Sequence, residues 1–199
     1  MRLGAMVLAA GLSRRFGDEN KLLQPVGDVS MLESVINALY SAEVSSIYVV
    51  TGHQSIEIQK ELSHFRDLQL IYNPDYQKGM SSSIRKGIDQ CEDLDACMIC
   101  LADMPFLTGQ DYRNLMANFY REGAPDCIMI PTFRGRRGHP VIFGKQFFGA
   151  LSNLPESDEG ARQIVRNNPA YVKEIDLGTE SIFLDVDFRT SFNSDNNGG

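Results

Sequence analysis

Short apolar runs alternate along the chain with stretches whose apolar positions recur every three or four residues, the pattern of strands interleaved with amphipathic helices. Leu3 to Ala9 is the first run, and its continuous apolarity suits a strand covered on both faces. Ser30-Met31-Leu32-Glu33 has the S-x-x-E form of a capping box and leads into Met31, Leu32, Val35, Ile36 and Leu39 at helical spacing, which predicts a helix to about Ala42. Ile47 to Val50 is a second strand ending in Thr51-Gly52-His53, and a helix is expected over Ser55 to Leu62. Leu68 to Tyr72 is a third strand, broken by the turn residues Asn73-Pro74-Asp75. In the following KGMSSSIRKGI, Gly79 punctuates, the serines offer N-caps and backbone donors, and a helix begins over Ile84 to Ile88. Ala96 to Leu101 is a fourth strand with Asp103-Met104-Pro105 at its carboxyl end. Thr108 then caps a helix through about Glu122, with Tyr112, Leu115, Met116, Phe119 and Tyr120 as its buried stripe.

The second half is less regular. Cys127 to Thr132 reads as a strand, Phe133 to Pro140 as a loop rich in glycine and arginine, and Val141 to Phe143 as a short strand. Lys145 to Leu154 and Ser157 to about Val165 are expected to be helical, and Val172 to Ile175 and Ile182 to Val186 to be strands. The final SFNSDNNGG lacks apolar anchors. With no linker or repeat, one domain is expected over residues 1–190 and a disordered tail over 191–199. Strands and helices alternating in this way predict an α/β fold, a Rossmann-like, mostly parallel, doubly wound sheet with helices on both faces and ligand loops at the carboxyl ends of its strands.

Candidate chemistry begins at Met6 to Lys21, where the first strand opens into a polar, basic segment. Gly11 lets the backbone turn, Ser13 offers a hydroxyl and an N–H, and Arg14, Arg15 and Lys21 gather positive charge suited to a polyphosphate. The alternative is a solvated basic loop. The segment matches neither G-x-x-x-x-G-K-[ST] nor G-x-G-x-x-G.

Composition narrows the partners. The 199 residues are 43% hydrophobic, enough for one sizeable core, and a formal charge of −7 opposes a nucleic-acid polymer or an anionic membrane. A small anion needs only a local basic patch. The opening MRLGAMVLAAG is neither a signal peptide nor a membrane span, so a cytoplasmic protein is expected. Cys97 and Cys100 form a C-x-x-C spacing, but in a strand an odd separation sends them to opposite faces, which argues for core thiols over a shared metal. His53, His64 and His139 have no i, i+4 pairing that would suggest a histidine metal site.

A basic glycine loop, a serine loop, Asp103 at a strand end and the pair Asp185 and Asp187 would be connected by Mg²⁺ with a nucleoside triphosphate. Asp103 sits where a metal ligand should sit; the alternative is a turn cap before Pro105. Asp185 and Asp187, two apart, would share a face of a strand and could reach the same ion, or could form an exposed acidic edge.

The segments LAAGLSRRFG with Lys21, NPDYQKGMSSSIRKG, LADMP, RGRRGHPVIF, SDEGAR and a degraded LDVD together resemble the nucleotidyltransferases related to the molybdenum cofactor cytidylyl- and guanylyltransferases, over most of the chain. The resemblance implies the nucleotide-diphospho-sugar transferase type of fold and Mg²⁺-dependent transfer of a nucleoside monophosphate with release of pyrophosphate, Mn²⁺ being an alternative ion. It implies that the backbone of Leu8, Ala9, Ala10, Gly11 and Ser13 cradles base and phosphates. It makes Arg15, Lys21 and Asp103 catalytic, with Asp103, Asp185 and Asp187 as metal ligands. Asn73, Ser82 and Ser83 match the stretch near base and ribose. RGRRGHP and SDEGAR resemble the segments around the pterin pocket, which makes Arg137, Gly138, His139 and Pro140 substrate-side candidates; the alternative is a loop that shapes the fold.

The guanylyl branch reads L-A-G-G where this chain has L-A-A-G. The Ala10 methyl narrows the base pocket, so CTP is preferred over GTP. The family closes with a form like D-I-D-T-P-E-D, from which Phe188-Arg189-Thr190-Ser191 departs. The expected reaction is attack of the terminal phosphate of molybdopterin on the α-phosphorus of CTP, with an apo-molybdoenzyme as a candidate recipient of the product. Its rivals are GMP transfer to molybdopterin, CMP transfer to a sugar or polyol phosphate, and a non-catalytic carrier of the cofactor.

Overall fold

A computed structural model of the protein describes residues 1–11, 20–122 and 125–186. Its elements, in chain order, are β1 (Leu3–Ala9), a hairpin of β2 (Pro25–Val26) and β3 (Val29–Ser30), α1 (Met31–Ser41), β4 (Ile47–Thr51), α2 (Ser55–Glu61), β5 (Leu68–Tyr72), α3 (Met80–Ile88), β6 (Ala96–Leu101), α4 (Gly109–Glu122), β7 (Ile128–Phe133), β8 (Arg136–Arg137), β9 (Val141–Gly144), α5 (Phe148–Ser152), α6 (Arg162–Asn167) and β10 (Val172–Asp176). The eight-stranded sheet runs β10-β7-β9-β6-β1-β4-β5, with β8 on β7. β1 pairs in parallel with β4 and β6, and β4 with β5, whereas β9 runs antiparallel to both β6 and β7.

Alternate residues of β1 enter opposite cores. Ala5, Val7 and Ala9 join Met31, Leu32, Val35 and Ile36 of α1, Ile58 of α2 and Tyr112, Leu115 and Phe119 of α4, while Met6 joins Ile84 and Ile88 of α3, Leu151 of α5 and Ile164 of α6. Helices therefore cover both faces. Ser30 caps α1 as its sequence predicts, its hydroxyl accepting from the Glu33 N–H at 3.1 Å. Cys100 lies in the first core and Cys97 in the second, both buried, so the C-x-x-C pair is split by the sheet, and burial pushes the Cys100 thiol well up.

Five expectations change. α3 begins at Met80, four positions before the expected Ile84, because its cap comes from outside: the Met80 N–H donates to Asp158 Oδ1 at 3.3 Å, leaving Ser81, Ser82 and Ser83 inside the helix, buried. The residues after Phe133 form a hairpin turn at Arg134 and Gly135, both at positive φ, that pairs β8 with β7. The helix expected from Ser157 begins at Arg162, and Tyr120 is 45% exposed, off the buried stripe. Ile182 to Val186 is not a strand. Glu180–Phe183 is a turn of 3-10 helix, so the reading of Asp185 and Asp187 as neighbours on one strand face does not hold, and Asp187 lies outside the described residues.

Candidate active site

The chain winds outward from β1 through β4 to β5 and then crosses back to place β6 on the other side of β1. The carboxyl ends of β1 and β6 thus flank a topological switch point, where α/β sheets open a crevice for ligands. Leu8 pairs with Leu101 in register, and the Ala102 N–H donates to Leu8 O at 3.3 Å, so the segment leaving β6 starts beside the one leaving β1. Ala10 and Gly11 follow β1; Ser13, Arg14 and Arg15 lie outside the described residues.

Where the chain returns, the Asn20 side chain caps a 3-10 turn at Lys21–Leu23 by accepting from the Leu22 N–H at 3.0 Å, and Leu22 is buried beneath it. That anchor aims Lys21 across the switch point. Its Nζ donates to Asp103 Oδ2 at 2.7 Å, with 15% and 25% of the two side chains exposed. Solvent screens a pair this enclosed far less than one on the surface.

The backbone under Asp103 is held from behind. The Val186 N–H donates to Asp103 O at 3.0 Å, and the His139 N–H donates to Ile182 O at 2.9 Å. A strap from Ile182 to Val186 therefore ties the Gly138–His139 segment to the strand end that bears Asp103, and puts exposed Asp185 one residue from that contact. Only glycine fits at 138, because a Cβ there would lie 2.5 Å from Ile182 O.

The antiparallel course of β9 supplies the other half of the site. Its amino end, preceded by His139 and buried Pro140, lies at the same sheet edge as the carboxyl ends of β6 and β7, to both of which it runs antiparallel, with Val141 opposite Ile99. His139 has its Nδ1 enclosed with no hydrogen-bond partner among the described residues. Burial and the Arg162 guanidinium lower its pKa, against a smaller opposing pull from the Asp103 carboxylate. The ring is therefore neutral at pH 7 and sits within electrostatic reach of both groups. Arg137 is not part of this group: its guanidinium binds Glu174 on β10 at 2.6 Å. Arg162 was not singled out from the sequence, although it is the cation of SDEGAR and its motif could have flagged it.

On the β5 side, Asn73 brings together Ser82 and Ser83 by donating from Nδ2 at 2.9 and 3.0 Å, while its Oδ1 accepts from the Asp75 N–H at 3.0 Å. Ser82 in turn donates toward Asp75 O and Gly79 O. Ser81 Oγ accepts from the Ser157 N–H at 2.8 Å, which fastens α3 to the SDEGAR segment. The Ala10 methyl is buried against Gly52, where an added Cβ would lie 3.0 Å from it and 2.5 Å from Tyr76 Cβ.

The model of the MobA-like NTP transferase domain matches residues 5–173. The chain is 28% identical over 191 residues to the molybdenum cofactor cytidylyltransferase of Escherichia coli (strain K12), covering 96% of this chain and 93% of that one. It is 26% identical over 188 residues to the nicotine blue oxidoreductase of Paenarthrobacter nicotinovorans, covering 92% and 90%. Among solved structures, Rv0371c from Mycobacterium tuberculosis H37Rv in complex with manganese matches with a TM-score of 0.78 at 20% identity over 96% of each chain, a likeness of fold.

Proposed function

The chain belongs to the MobA-like NTP transferase family and is a nucleotidyltransferase, and we propose that it transfers CMP from CTP to the terminal phosphate of molybdopterin, releasing pyrophosphate with the help of Mg²⁺. The observation that carries this reading is the meeting of Lys21 and Asp103 at the switch point, 2.7 Å apart, where a cation for phosphates and a carboxylate for a metal are needed side by side. The donor chemistry fits the ion. Asp103 offers hard oxygen at a partly open edge, already faced by one cation, and Mg²⁺ takes one or two carboxylates with phosphate and water completing its shell. Asp185 is the second candidate from its place on the strap; Asp187 remains a proposal from the sequence. When bound, Mg²⁺, or Mn²⁺ in its place, would polarise the α-phosphoryl group and offset charge on the departing pyrophosphate.

The protein's own part is placement and electrostatics. Lys21, with Arg15 proposed beside it, neutralises the triphosphate, and the backbone of Leu8, Ala9, Ala10, Gly11 and Ser13 receives base and phosphates. Asn73, Ser82 and Ser83 form the wall toward base and ribose. Gly138, His139 and Pro140, joined by Arg162, face the acceptor, while Arg137 braces β8 through Glu174. A phosphate monoester is already anionic at neutral pH, so its attack needs alignment and no general base. The Ala10 methyl favours a pyrimidine, and the cytidylyltransferase relative supports the same choice.

The test is pyrophosphate release from CTP, GTP or ATP, each with molybdopterin, in Mg²⁺ or Mn²⁺. CTP-dependent release is expected. Release only with GTP would overturn the base assignment, and cofactor binding without release from any nucleotide would overturn the transfer itself, separating it from carrier or oxidoreductase behaviour.

A further inference from the structure

We propose that Lys21 has a second duty: it is a tethered cation that holds the metal position of Asp103 in the nucleotide-free protein and leaves it for the triphosphate, so that divalent metal and nucleotide are admitted together. This rests on the reading of Asp103 as the metal ligand. The geometry supplies the conflict. Lys21 Nζ stands 2.7 Å from Asp103 Oδ2, the distance of a charge-assisted hydrogen bond, and occupies one face of the oxygen a metal would use. An ion of charge +2 on that carboxylate would lie within a few ångströms of an ammonium, and in a site that is only 15% and 25% exposed the repulsion is weakly screened. The two cations therefore compete for one carboxylate until a third, anionic group arrives.

A triphosphate resolves the competition. Lys21 is the first residue of its 3-10 turn, so its backbone is pinned by the Asn20 cap and buried Leu22 while its four-carbon stem can swing. It stands at the return end of the segment that leaves β1, the segment proposed to cradle the phosphates. When the triphosphate enters, Lys21 exchanges Asp103 for phosphate oxygen, and the vacated carboxylate would be open to hold the divalent ion. Metal and nucleotide binding are then positively coupled, and by linkage the coupling is reciprocal. No bond is made or broken in this step; only ionic partners exchange.

The experiment is a titration of Mn²⁺ against the full-length protein, followed by the electron paramagnetic resonance signal of the free ion, without and with α,β-methylene CTP. Wild type is expected to bind Mn²⁺ weakly alone and more tightly with the analogue. Lys21→Met removes the resident cation, so it should bind Mn²⁺ alone about tenfold more tightly, the scale of an ion pair between the exposed and buried limits. The gain conferred by the analogue should shrink by a similar factor. Lys21→Gln is the second variant, expected to act in the same direction, with thermal melts showing that both are folded. Unchanged or weaker Mn²⁺ binding by these folded variants overturns the exchange. Asp103→Asn separates the two ideas: if it binds Mn²⁺ as wild type does, the metal assignment has failed, whereas loss of Mn²⁺ in Asp103→Asn without tightening in Lys21→Met means that only the exchange has failed.

Discussion

Two polar clusters lie at the same edge of the sheet and differ in what their bonds leave to a ligand. At the switch point, Lys21 and Asp103 are in direct contact and both partly exposed, and each is a charge that the proposed triphosphate or metal could claim. At the start of α3, Asn73, Ser82 and Ser83 are buried to within 4% of full enclosure, and both amide hydrogens of Asn73 are already donated to the two serines. A hydrogen bond inside such an enclosure is costly to lose, because the group left behind has no water to turn to. On the exchange proposed above, the first cluster trades partners, whereas the second keeps them. Proximity to a crevice does not separate catalytic from architectural polar groups; whether their bonding capacity is already spent does.

The largest test of that contrast falls on Asp103. Asp103→Asn keeps the shape of the side chain and removes the charge, so turnover should fall by about 100- to 1000-fold, the scale of lost electrostatic stabilisation at a reacting phosphoryl group, while the melting temperature moves little. Pyrophosphate release and a thermal melt on one preparation read both. Near-normal turnover would remove Asp103 from the reaction.

Asn73→Ala should do the opposite. It deprives Ser82, Ser83 and the Asp75 N–H of their partner, a loss of about 1–3 kcal/mol of stability, read by denaturant unfolding, with kcat for the folded fraction changed less than in Asp103→Asn. A variant that melts normally but no longer uses nucleotide would place Asn73 in direct contact with the ligand and collapse the distinction.

The two clusters were not equally legible in the sequence. Leu3–Ala9 and Ala96–Leu101 announce themselves as buried strands by length and apolarity, and once both are parallel neighbours Asp103 can only sit at the ligand edge. The start of α3 could not be read in the same way. Its cap is Asp158, 78 positions away in the chain, and a rule that looks for a cap within one turn finds the serines instead. The strap failed for a related reason. Ile182 to Val186 has the apolar content of a strand, but its Ile182 carbonyl and Val186 N–H are taken by His139 and Asp103, so no ladder forms. Nor does a run as short as Val141-Ile142-Phe143 state its direction, yet the antiparallel course of β9 is what returns His139 to the edge that bears Asp103.

A third test sharpens the nucleotide side. Ala10→Gly removes the methyl that lies against Gly52 and would widen the proposed base pocket by one carbon. One methylene-sized difference is worth about tenfold in discrimination, so the ratio of kcat/KM for CTP over GTP should drop by about that factor, with the absolute CTP rate reduced less. An unchanged ratio would place the base away from Ala10.

The smallest expected effect concerns His139, whose N–H donates to Ile182 O on the strap that also holds the Asp103 backbone. Burial and Arg162 lower its pKa in the folded protein below the ordinary 6.5, with Asp103 opposing only in part. The unfolded chain then binds more protons than the folded one as pH falls below 6.5, so the contribution of this group to stability is intact above that value and declines toward the lowered folded pKa. His139→Asn abolishes that proton uptake. Melting temperatures of wild type and variant, followed from pH 7.5 down to pH 5, should show the wild type losing stability more steeply on the acid side, with the two slopes alike above pH 7. Parallel curves over the whole range would mean that the enclosed Nδ1 takes up its proton without cost, and that the ring has a partner in solution which the folded arrangement around Arg162 and Asp103 does not supply.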